Sequence, residues 1–494
     1  MISIKATPLA VLSIQLLIVF QTTAASATSP QLESSIPSMP LESSVSLNEQ
    51  TLDLTLSDAV YLGLRQNRTI RSAYLGRISE KFDLHVAGEQ FSPKLVLSGR
   101  YSNAQSQSDH SQEASVIPGT VWQTEYGTRL SLSWASQLAY SDQAGRRGND
   151  GINFSVTQPL LRGAGKEVAA APLRLAELGE RANILNLQSE VSNVVTKIIT
   201  TYRDMLQAKE QLDISRQALE RSRQLLEFNR ELIDTGRMAE FDSVQTEANI
   251  ANQDLEILQA EDRLQNTRLD LLRLLALDLD TRVNLTTSLA AQKIDISLAD
   301  ALSIARTHQP AYLNETIAQE RAKINLQVAE NQSLPDISLV GGYSQVRDRF
   351  SDDATRRWES YVGVQVDIPI GDPGQKQSAV NAQVALEQQA LRITDTQQSL
   401  EREVTEAVQN LDTRWQQFQL ANRALALSRQ ALQIEREKLQ AGRSSNFQVL
   451  SFEADLRNAE NARLNAQLAY LNAQTALDQV LGTTLQSWEI QLND

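Results

Sequence analysis

The sequence has 494 residues, a formal net charge of −14, no cysteine and only 5% aromatic residues. The lack of cysteine excludes disulfides, thiolate metal sites, a cysteine nucleophile and a lipid attached to an N-terminal cysteine. An acidic chain without a basic cluster argues against a nucleic-acid ligand. Its apolar residues, mostly Leu, Ala, Val and Ile, are mixed with many Gln, Asn, Arg and Glu, which favours long, partly solvated helices.

Residues 1–27 have the pattern of a secretory signal peptide, with Lys5 as the charge of the n-region and an apolar stretch over residues 9–20. Residues 25–27, Ala-Ser-Ala, fit a small-residue cleavage site. The apolar stretch is shorter than the roughly 20 residues that a membrane-spanning helix needs, although an uncleaved anchor is the alternative. Residues 28–52 follow as a Ser- and Pro-rich segment, which predicts a flexible lead-in.

The remainder of the chain contains an internal duplication. Two similar segments mark its beginning at a shift of 242 residues, Leu54–Ala59 (LTLSDA) and Ile296–Ala301 (ISLADA). Further along, a shift of 206 residues relates one glycine-arginine pair and one phenylalanine to a second set: Gly236-Arg237 to Gly442-Arg443, and Phe241 to Phe447. Two fixed shifts over such distances indicate that one half of the chain was copied.

The two repeats differ in length. The change of shift means that the first repeat, residues 53–293, carries 36 residues (242 less 206) between its matched segments that the second repeat, residues 294–494, lacks. Most of the additional residues fall near 103–150, a stretch rich in Ser, Gln, Asn and Gly. Each repeat begins with one predicted helix, over 57–91 and 299–333, which ends just before a proline.

Segments that alternate apolar and polar residues follow this helix in both repeats. The first repeat has three strand candidates within 94–160, near 94–104, 127–139 and 151–159, and the second has strands within 336–370. Alternation suits a strand between lipid and water, and it equally suits a strand in a soluble sandwich. No run after Ala27 is long and apolar enough for a transmembrane helix, so a membrane form would be a β-barrel.

Two long helices close each repeat, predicted at about 166–234 and 240–277, and at about 376–441 and 446–482. Apolar residues recur every seven positions in the first helix of each pair, which predicts coiled-coil packing: Ile198, Met205, Leu212, Leu219, Leu226 and Ile233, then Val404, Leu411, Phe418, Leu425, Leu432 and Leu439. The companion positions, which lie four residues after members of this series, are more polar, among them Asn422, Arg429 and Arg436. A second face of the helix should therefore stay exposed to water. At 1.5 Å per residue such a helix is roughly 100 Å long, so it must be a strut or part of a tube.

The strand count bears on oligomeric state. Both repeats must place their long helices on one side of a membrane, so each repeat crosses it an even number of times. We therefore expect two strands per repeat and four per chain, with one first-repeat candidate outside the membrane or a fourth short strand near 116–126. Four strands cannot close a barrel, and an open edge in lipid leaves backbone groups unpaired. Three copies supply twelve strands, which favours a cyclic trimer.

The order of elements, the duplication and two local motifs resemble the TolC-like outer-membrane efflux factors. The motifs are residues 156–163 (VTQPLLRG) and the stretches that lead from Gly236 to Phe241 and from Gly442 to Phe447. The resemblance covers about residues 52–488. It implies a mixed fold: a trimeric 12-strand outer-membrane β-barrel, with four strands per chain, continuous with a long α-helical coiled-coil tunnel in the periplasm.

The same resemblance implies a function and a set of partners. We expect the channel component of a tripartite efflux or type I secretion system, a passive duct that exports small molecules or proteins. Its partners would be two further copies of the chain in a homotrimer, a periplasmic membrane-fusion adaptor protein, an inner-membrane pump and outer-membrane lipid. The resemblance implies no cofactor.

By resemblance, the two turns between long helices form the periplasmic tip and contact the adaptor: Gly236-Arg237-Met238 and Gly442-Arg443-Ser444. The alternative is that each glycine only ends a helix in left-handed geometry.

The resemblance also bears on the gate at the periplasmic entrance. Family members narrow this entrance with rings of Asp, and the matching positions here are Gln448 and Ser451, so that acidic ring is missing. Asp242, the counterpart of Gln448, is expected either to close a gate with polar neighbours or to cap the returning helix.

Signatures of metal binding and of catalysis are weak. His85, His110 and His308 lie far apart, which predicts no metal site. Residues 163–166 (GAGK) lack the first glycine and the Ser or Thr of a phosphate loop, and no nucleophile motif stands out, so we expect no enzyme.

Two other classes of protein stay open as alternatives to a channel. A soluble periplasmic coiled-coil scaffold would explain the heptads but not the strands, and a secreted hydrolase would need a cleft with paired acids.

Overall fold

The computed structural model describes residues 51–492 except Ser108, Ala144, residues 351–352 and Asp372. The predicted signal peptide, residues 1–27, and residues 28–50 of the predicted lead-in lie outside the described residues. Within the described part of the chain, no helix combines the length and the apolar character needed to cross a bilayer.

The elements follow one another twice in nearly the same order. The first repeat contains β1 (Leu52–Leu54), α1 (Leu56–Gln66), α2 (Arg68–Glu89), β2 (Lys94–Gln105), β3 (His110–Gln123), β4 (Arg129–Ser141), β5 (Gly145–Pro159), α3 (Lys166–Ala169), α4 (Ala171–Asp234) and α5 (Glu240–Leu274). The second repeat contains β6 (Val283–Leu285), α6 (Leu298–His308), α7 (Pro310–Gln332), β7 (Asp336–Phe350), β8 (Asp353–Asp367), α8 (Gly374–Gln440), α9 (Asn446–Leu481) and α10 (Thr484–Ser487). The predicted duplication is therefore visible in the fold.

The first helix of each repeat is broken into two, where the sequence predicts one continuous helix. Asn67 separates α1 from α2, and its side-chain oxygen accepts hydrogen bonds from the backbone N–H groups of Thr69 (2.9 Å) and Ile70 (3.3 Å). In the second repeat Pro310 begins α7, and proline suits the first position of a helix because it has no N–H to satisfy. A capping side chain and a proline thus start new helices at equivalent places.

One antiparallel sheet contains six strands in the order β2-β3-β4-β5-β7-β8. It has two strands more than the four predicted, because the first repeat supplies β2 to β5 and the second supplies only β7 and β8. The number is even in each repeat, as expected for a chain that returns to its helices on one side. Of the two possibilities left open by the sequence, the structure has the hidden strand, which is β3.

The additional residues of the first repeat form the hairpin β3–β4, placed between β2 and β5. Alternation does not reveal β3, because residues 110–115 (HSQEAS) are polar or small along both faces. Residues 117 and 118 also drop out of the ladder with β4, where the pairing passes from Val116–Ser136 to Gly119–Ser133. Pro118 cannot donate to a ladder, so the strand pattern is interrupted there.

The sheet has one apolar face and one polar face. On β4 the apolar side chains of Leu132, Trp134 and Leu138 are exposed, whereas Ser131 and Ser133 on the other face are half-buried. The exposed apolar face continues across the neighbouring strands through Leu95, Leu97, Phe154, Tyr343, Val362 and Val364. This is the pattern of strands that separate lipid from water.

The long helices pack along the predicted heptads. α4 has 64 residues and α8 has 67, so each is roughly 100 Å long at 1.5 Å per residue. All six heptad positions of α8 are buried. In α4 the heptad is buried from Ile198 to Leu219, but towards the end of the helix Leu225, Asn229 and Leu232 are buried instead. α4 contacts both α5 and α9 there, and its buried seam is displaced by one residue from the predicted series while it keeps the seven-residue repeat.

The middle of α4 carries the main apolar core of the first repeat. The parallel pair β1–β6 and the helices α1 and α2 cover it. The Tyr202 hydroxyl donates to the carbonyl oxygen of Leu54 at 2.8 Å. It lies 2.9 Å from the hydroxyl of Thr287, which accepts from the Leu56 backbone N–H. Tyr202 is only 1% exposed, so this network fixes the two short strands to the long helix.

Replacement of Tyr202 by Phe tests this junction. The change removes the donor to the Leu54 carbonyl and should lower the free energy of unfolding by about 1–3 kcal/mol, the cost of a buried polar group without its partner. Urea unfolding of the detergent-solubilised protein provides the measurement. Tyr61→Phe is the matched control, because Tyr61 is 66% exposed and should show no change. Equal stability of the two variants would contradict the proposed role of the Tyr202 hydroxyl.

Candidate docking tip and gate

Both long helices end in the same turn. Gly236 and Gly442 follow the last residues of α4 and α8 with φ angles of 70° and 73°. Those angles are left-handed, which a side chain would oppose. The backbone N–H of Arg237 donates to the Leu232 carbonyl at 2.7 Å, and the N–H of Arg443 donates to the Lys438 carbonyl at 2.8 Å. Each glycine therefore ends its helix in a Schellman-type turn that reverses the chain.

The structure places the two turns side by side. The side chain of Arg237 donates to the carbonyl oxygen of Gln440, the last residue of α8, at 3.2 Å. Helices α5, α4, α9 and α8 lie in that order at this end of the molecule. The two three-residue turns identified from the sequence thus form one surface, which we call the tip: Gly236, Arg237, Met238, Gly442, Arg443 and Ser444.

The two returning helices begin differently. Ser445 caps α9: its hydroxyl accepts from the Gln448 N–H at 3.3 Å, and the Gln448 side chain accepts from the Ser445 N–H at 3.3 Å. Ala239 occupies the same place before α5 and offers no side-chain cap. Asp242 lies in the first turn of α5 without capping it, so of its two predicted roles the structure does not support the cap. Its negative charge lies near the positive end of the helix dipole, which is a favourable interaction.

The predicted gate residues occupy unequal positions. Gln448 and Ser451 are exposed on α9, and Asp242 is half-buried on α5. The carbonyl oxygen of Asp242, rather than its carboxylate, accepts a hydrogen bond from the Asn446 side chain at 2.9 Å. Asp242 and the start of α9 are therefore in contact, while Ser451 lies about one helical turn beyond Gln448.

Two phenylalanines stand out on the tip because they are exposed. Phe241 is 77% exposed and Phe447 is 64% exposed, at the second position of α5 and of α9 respectively. The repeat relates them to each other, and the sequence identifies both only as part of a repeated motif. Large exposed apolar side chains at an end of a molecule mark a surface that another molecule can cover.

A buried polar cluster joins three helices just inside the tip. The side-chain amide of Asn229 on α4 donates to the hydroxyl of Thr246 on α5 (3.0 Å) and to the side-chain oxygen of Asn446 on α9 (2.9 Å). These side chains are at most 1% exposed. Sequence reasoning missed this cluster, because each member is an ordinary polar residue in its own helix. Its only signal is that Asn229 falls on the side of α4 where apolar residues are expected.

An ion-pair cluster links α4, α8 and α9 further from the tip than the polar cluster around Asn229. The Glu453 carboxylate is 4% exposed and accepts hydrogen bonds from Arg221 (2.9 Å) and from Arg436. Arg221 also lies 3.5 Å from Glu460, which in turn lies 3.6 Å from Arg429. Arg429 and Arg436 are the polar companions of the heptad. Their acidic partners come from another helix, so the sequence could not name them.

Glu435 connects the end of α8 to the second turn. The Ser444 hydroxyl donates to its carboxylate, and Lys438 lies 2.9 Å away; in that order these two groups lower the pKa of Glu435 below its ordinary value. The shift of 206 residues relates Glu435 to Asn229, the centre of the buried cluster in the first repeat. The same position thus makes a buried polar contact near the tip in each repeat.

Comparisons with known proteins agree with this architecture. Residues 301–483 match the family model described as outer membrane efflux protein. No match was found among curated proteins. The fold is similar to the outer membrane channel CmeC of Campylobacter jejuni (TM-score 0.65, 17% identity, 87% of this chain and 86% of that one). It is also similar to the outer membrane protein VceC of Vibrio cholerae (0.64, 15%, 86% and 96%) and to the open state of the MtrE channel of Neisseria gonorrhoeae (0.65, 16%, 87% and 89%).

These findings confirm the resemblance predicted from the sequence and the mixed fold class of a barrel sheet joined to long helices, whereas the predicted four strands per chain are six in the structure. At such low identities the solved structures show the fold alone, and the family model matches most of the second repeat. The alternative of a soluble coiled-coil scaffold finds no support in them.

Proposed function

We propose that three copies of this chain, an efflux channel of the outer membrane whose residues 301–483 match the outer membrane efflux protein family model, form one passive duct from the periplasm to the cell exterior. The observation that carries this proposal is the open six-strand sheet with an exposed apolar face, connected directly to helices of roughly 100 Å. In lipid, the free edges of β2 and β8 need partners, and neighbouring copies supply them.

The strand directions allow such closure. β2 runs away from the helices and β8 runs back towards them, so β8 of one copy and β2 of the next are antiparallel, like every other pair in the sheet. Two copies would already supply twelve strands, so strand counting no longer selects three. The trimer in this proposal rests on the resemblance to the family.

A periplasmic adaptor docks on the tip in this proposal, and an inner-membrane pump supplies the energy. The exposed Phe241 and Phe447 and the charged Arg237 and Arg443 of the tip offer a mixed apolar and cationic surface for a helical hairpin. The cargo is small molecules or proteins, in an efflux or a type I secretion system. The duct has no enzymatic role.

The contacts of α9 with α4 and α5 form the gate in this proposal. The buried cluster around Asn446 and the ion pairs of Glu453 hold the start of α9 against the first repeat. The entrance widens when α9 separates from α4, which breaks both sets of contacts. Asp242, Gln448 and Ser451 line the entrance, which gives it a polar rather than a strongly acidic wall.

Native mass spectrometry of protein extracted from outer membranes in detergent tests the assembly. We expect an oligomer, because each copy leaves two strand edges that only other copies can pair in lipid, and the resemblance to the family makes the expected oligomer a trimer. A monomer or a dimer, or the absence of the protein from the membrane fraction, would contradict the trimeric duct.

The double substitution Phe241→Ser and Phe447→Ser tests docking. Loss of both apolar anchors should lower export at least tenfold in cells that lack their own copy of the gene, because a few buried aromatic anchors carry most of an interface's binding energy. Dye accumulation is the measurement, and trimer yield should not change. Leu258→Ser on α5 is the control, at a residue that is 63% exposed outside the tip. Unaltered export in the double variant would remove the phenylalanines from the docking surface.

The substitution Glu453→Gln tests the gate. It leaves Arg221 and Arg436 without their shared carboxylate and should favour the open state by about 1–3 kcal/mol, a range reduced for the partial exposure of both arginines. Single-channel recordings should then show a rise in open probability of about fivefold or more. Glu247→Gln is the matched control, because Glu247 occupies the equivalent place in the first repeat but forms an exposed pair with Arg230 at 3.1 Å. A similar response of the two variants would argue against the ion pairs of Glu453 as contacts that hold the entrance closed.

A further inference from the structure

The hairpin β3–β4 is the feature of this chain that its proposed function leaves unexplained. We propose that it is a barrel-widening insertion, through which three copies close an outer-membrane barrel of eighteen strands rather than twelve and so form a wider outer pore. The partner at each free sheet edge is a second copy of this chain. This inference rests on the proposed trimer.

The hairpin is built into the sheet along its whole height. β3 pairs with β2 from Lys94–Val121 to Gln105–His110, and β4 pairs with β5 from Arg129–Thr157 to Ser141–Gly145. The hairpin strands have 14 and 13 residues, and the other strands of the sheet have 12 to 15. Strands of 9–11 residues are long enough to span a bilayer. The hairpin therefore has the length of a membrane-spanning pair and is not a loop folded over the outer surface.

The turn of the hairpin is anchored on the helix side. The Trp122 indole N–H donates to the carbonyl oxygen of Phe91 at 2.7 Å, next to the start of β2. The Gly165 N–H donates to the carbonyl oxygen of Tyr126 at 3.3 Å, and Lys166 pairs with Glu125 at 2.8 Å. Gly127 has a φ of +89°, and a Cβ there would lie 2.3 Å from the carbonyl oxygen of Gly163. The turn is thus fitted to the connection between β5 and α4.

The two faces of β4, the second strand of the hairpin, match those of the neighbouring strands β5 and β7. Leu132 lies directly opposite Phe154, and Phe154 lies opposite Tyr343, so one apolar row runs from the inserted hairpin into the second repeat. All three side chains are exposed in one chain. Ser131, Ser133 and Gln137 lie on the other face of β4 with Ser155, Asn153 and Asn149 of β5 opposite them. A hairpin outside the membrane would have no need for an apolar face in register with the others.

The width of the sheet also suits the helices beneath it. Strands 4.8 Å apart and tilted by about 40° each cover roughly 6 Å of circumference, so six strands cover roughly 38 Å and four cover roughly 25 Å. At the sheet end the helices lie in the order α2, α4, α7, α8. Four helices at 8–10 Å spacing cover roughly 32–40 Å. Six strands fill that width, and the hairpin sits between the strands attached to α2 and α4.

The consequence is a change in pore size at the outer membrane only. Barrel diameter grows roughly in proportion to strand number, so eighteen strands give a barrel about half again as wide as twelve. The helical tunnel keeps four long helices per chain at either end. Polar solutes of larger diameter could then enter the pore from the outside or leave it, while the tip still sets what enters from the periplasm.

Two neighbouring substitutions test the placement of the hairpin. Leu132→Lys puts a charge on the apolar face and should lower the amount of folded trimer in the outer membrane at least tenfold, because a charge facing lipid at mid-membrane depth is strongly unfavourable. Ser131→Lys puts the same charge on the polar face and should leave trimer levels within twofold of the parent. Equal levels for the two variants, whether both high or both low, would overturn the inference.

Electron cryomicroscopy of the detergent-solubilised trimer counts the strands directly. A trimer with eighteen barrel strands supports the inference, and a trimer with twelve overturns it while leaving the proposed duct intact. Preparations without trimers would overturn both.

A deletion of residues 109–141 adds a functional readout, since it removes β3 and β4 and keeps a short loop between β2 and β5. Polyethylene glycols added on the outer side should be excluded from the shortened pore at about two-thirds of the diameter that the parent pore admits; the same cut-off in both proteins would overturn the inference.

Discussion

A sheet in a bilayer must pair all of its backbone N–H and C=O groups, and much of this structure follows from that requirement. An unpaired edge costs several kcal/mol per group in lipid, so neither β2 nor β8 can remain at an edge. The chain must also return to its helices after each repeat, which makes the number of strands in each repeat even. Strands and helices then keep one order across the molecule, with β2, β5, β7 and β8 attached to α2, α4, α7 and α8. Only the hairpin β3–β4 has no helix of its own.

The two repeats of the molecule differ in ways that matter physically. The first repeat has the wider part of the sheet and no side-chain cap before α5, where Ala239 stands. The second repeat has Ser445 with its capping box at the start of α9 and the shielded carboxylate Glu453. The equivalent carboxylate of the first repeat, Glu247, lies in solvent. The contacts that hold the tip are therefore concentrated on α9, and in the proposed gate this asymmetry would let one helix pair move against the other.

The sequence predicts the features that depend on local residue patterns. The heptads of α8, the glycine turns at Gly236 and Gly442 and the alternation of β4 each need only nearby residues, and each is present in the structure. The strand β3 could not be read in this way, because its polar half and Pro118 hide the period of two. The clusters at Asn229 and Glu453 could not be read either. Their members meet only after three helices pack together, and a polar residue within a helix gives no sign of its partner.

The chemistry of the tip contacts suits a gate better than it suits a permanent seam. Apolar residues in place of Asn229, Thr246 and Asn446 would be expected to bind the three helices at least as firmly, since buried polar groups give little net stability. On opening, however, an apolar seam would expose its surface to water, which is unfavourable in proportion to the exposed area. Amides, hydroxyls and charged groups exchange their internal hydrogen bonds for bonds to water instead. In the proposed gate, these polar contacts would therefore fix one closed arrangement, because their members pair in only one geometry, and would keep the free energy of opening within reach of a docking partner.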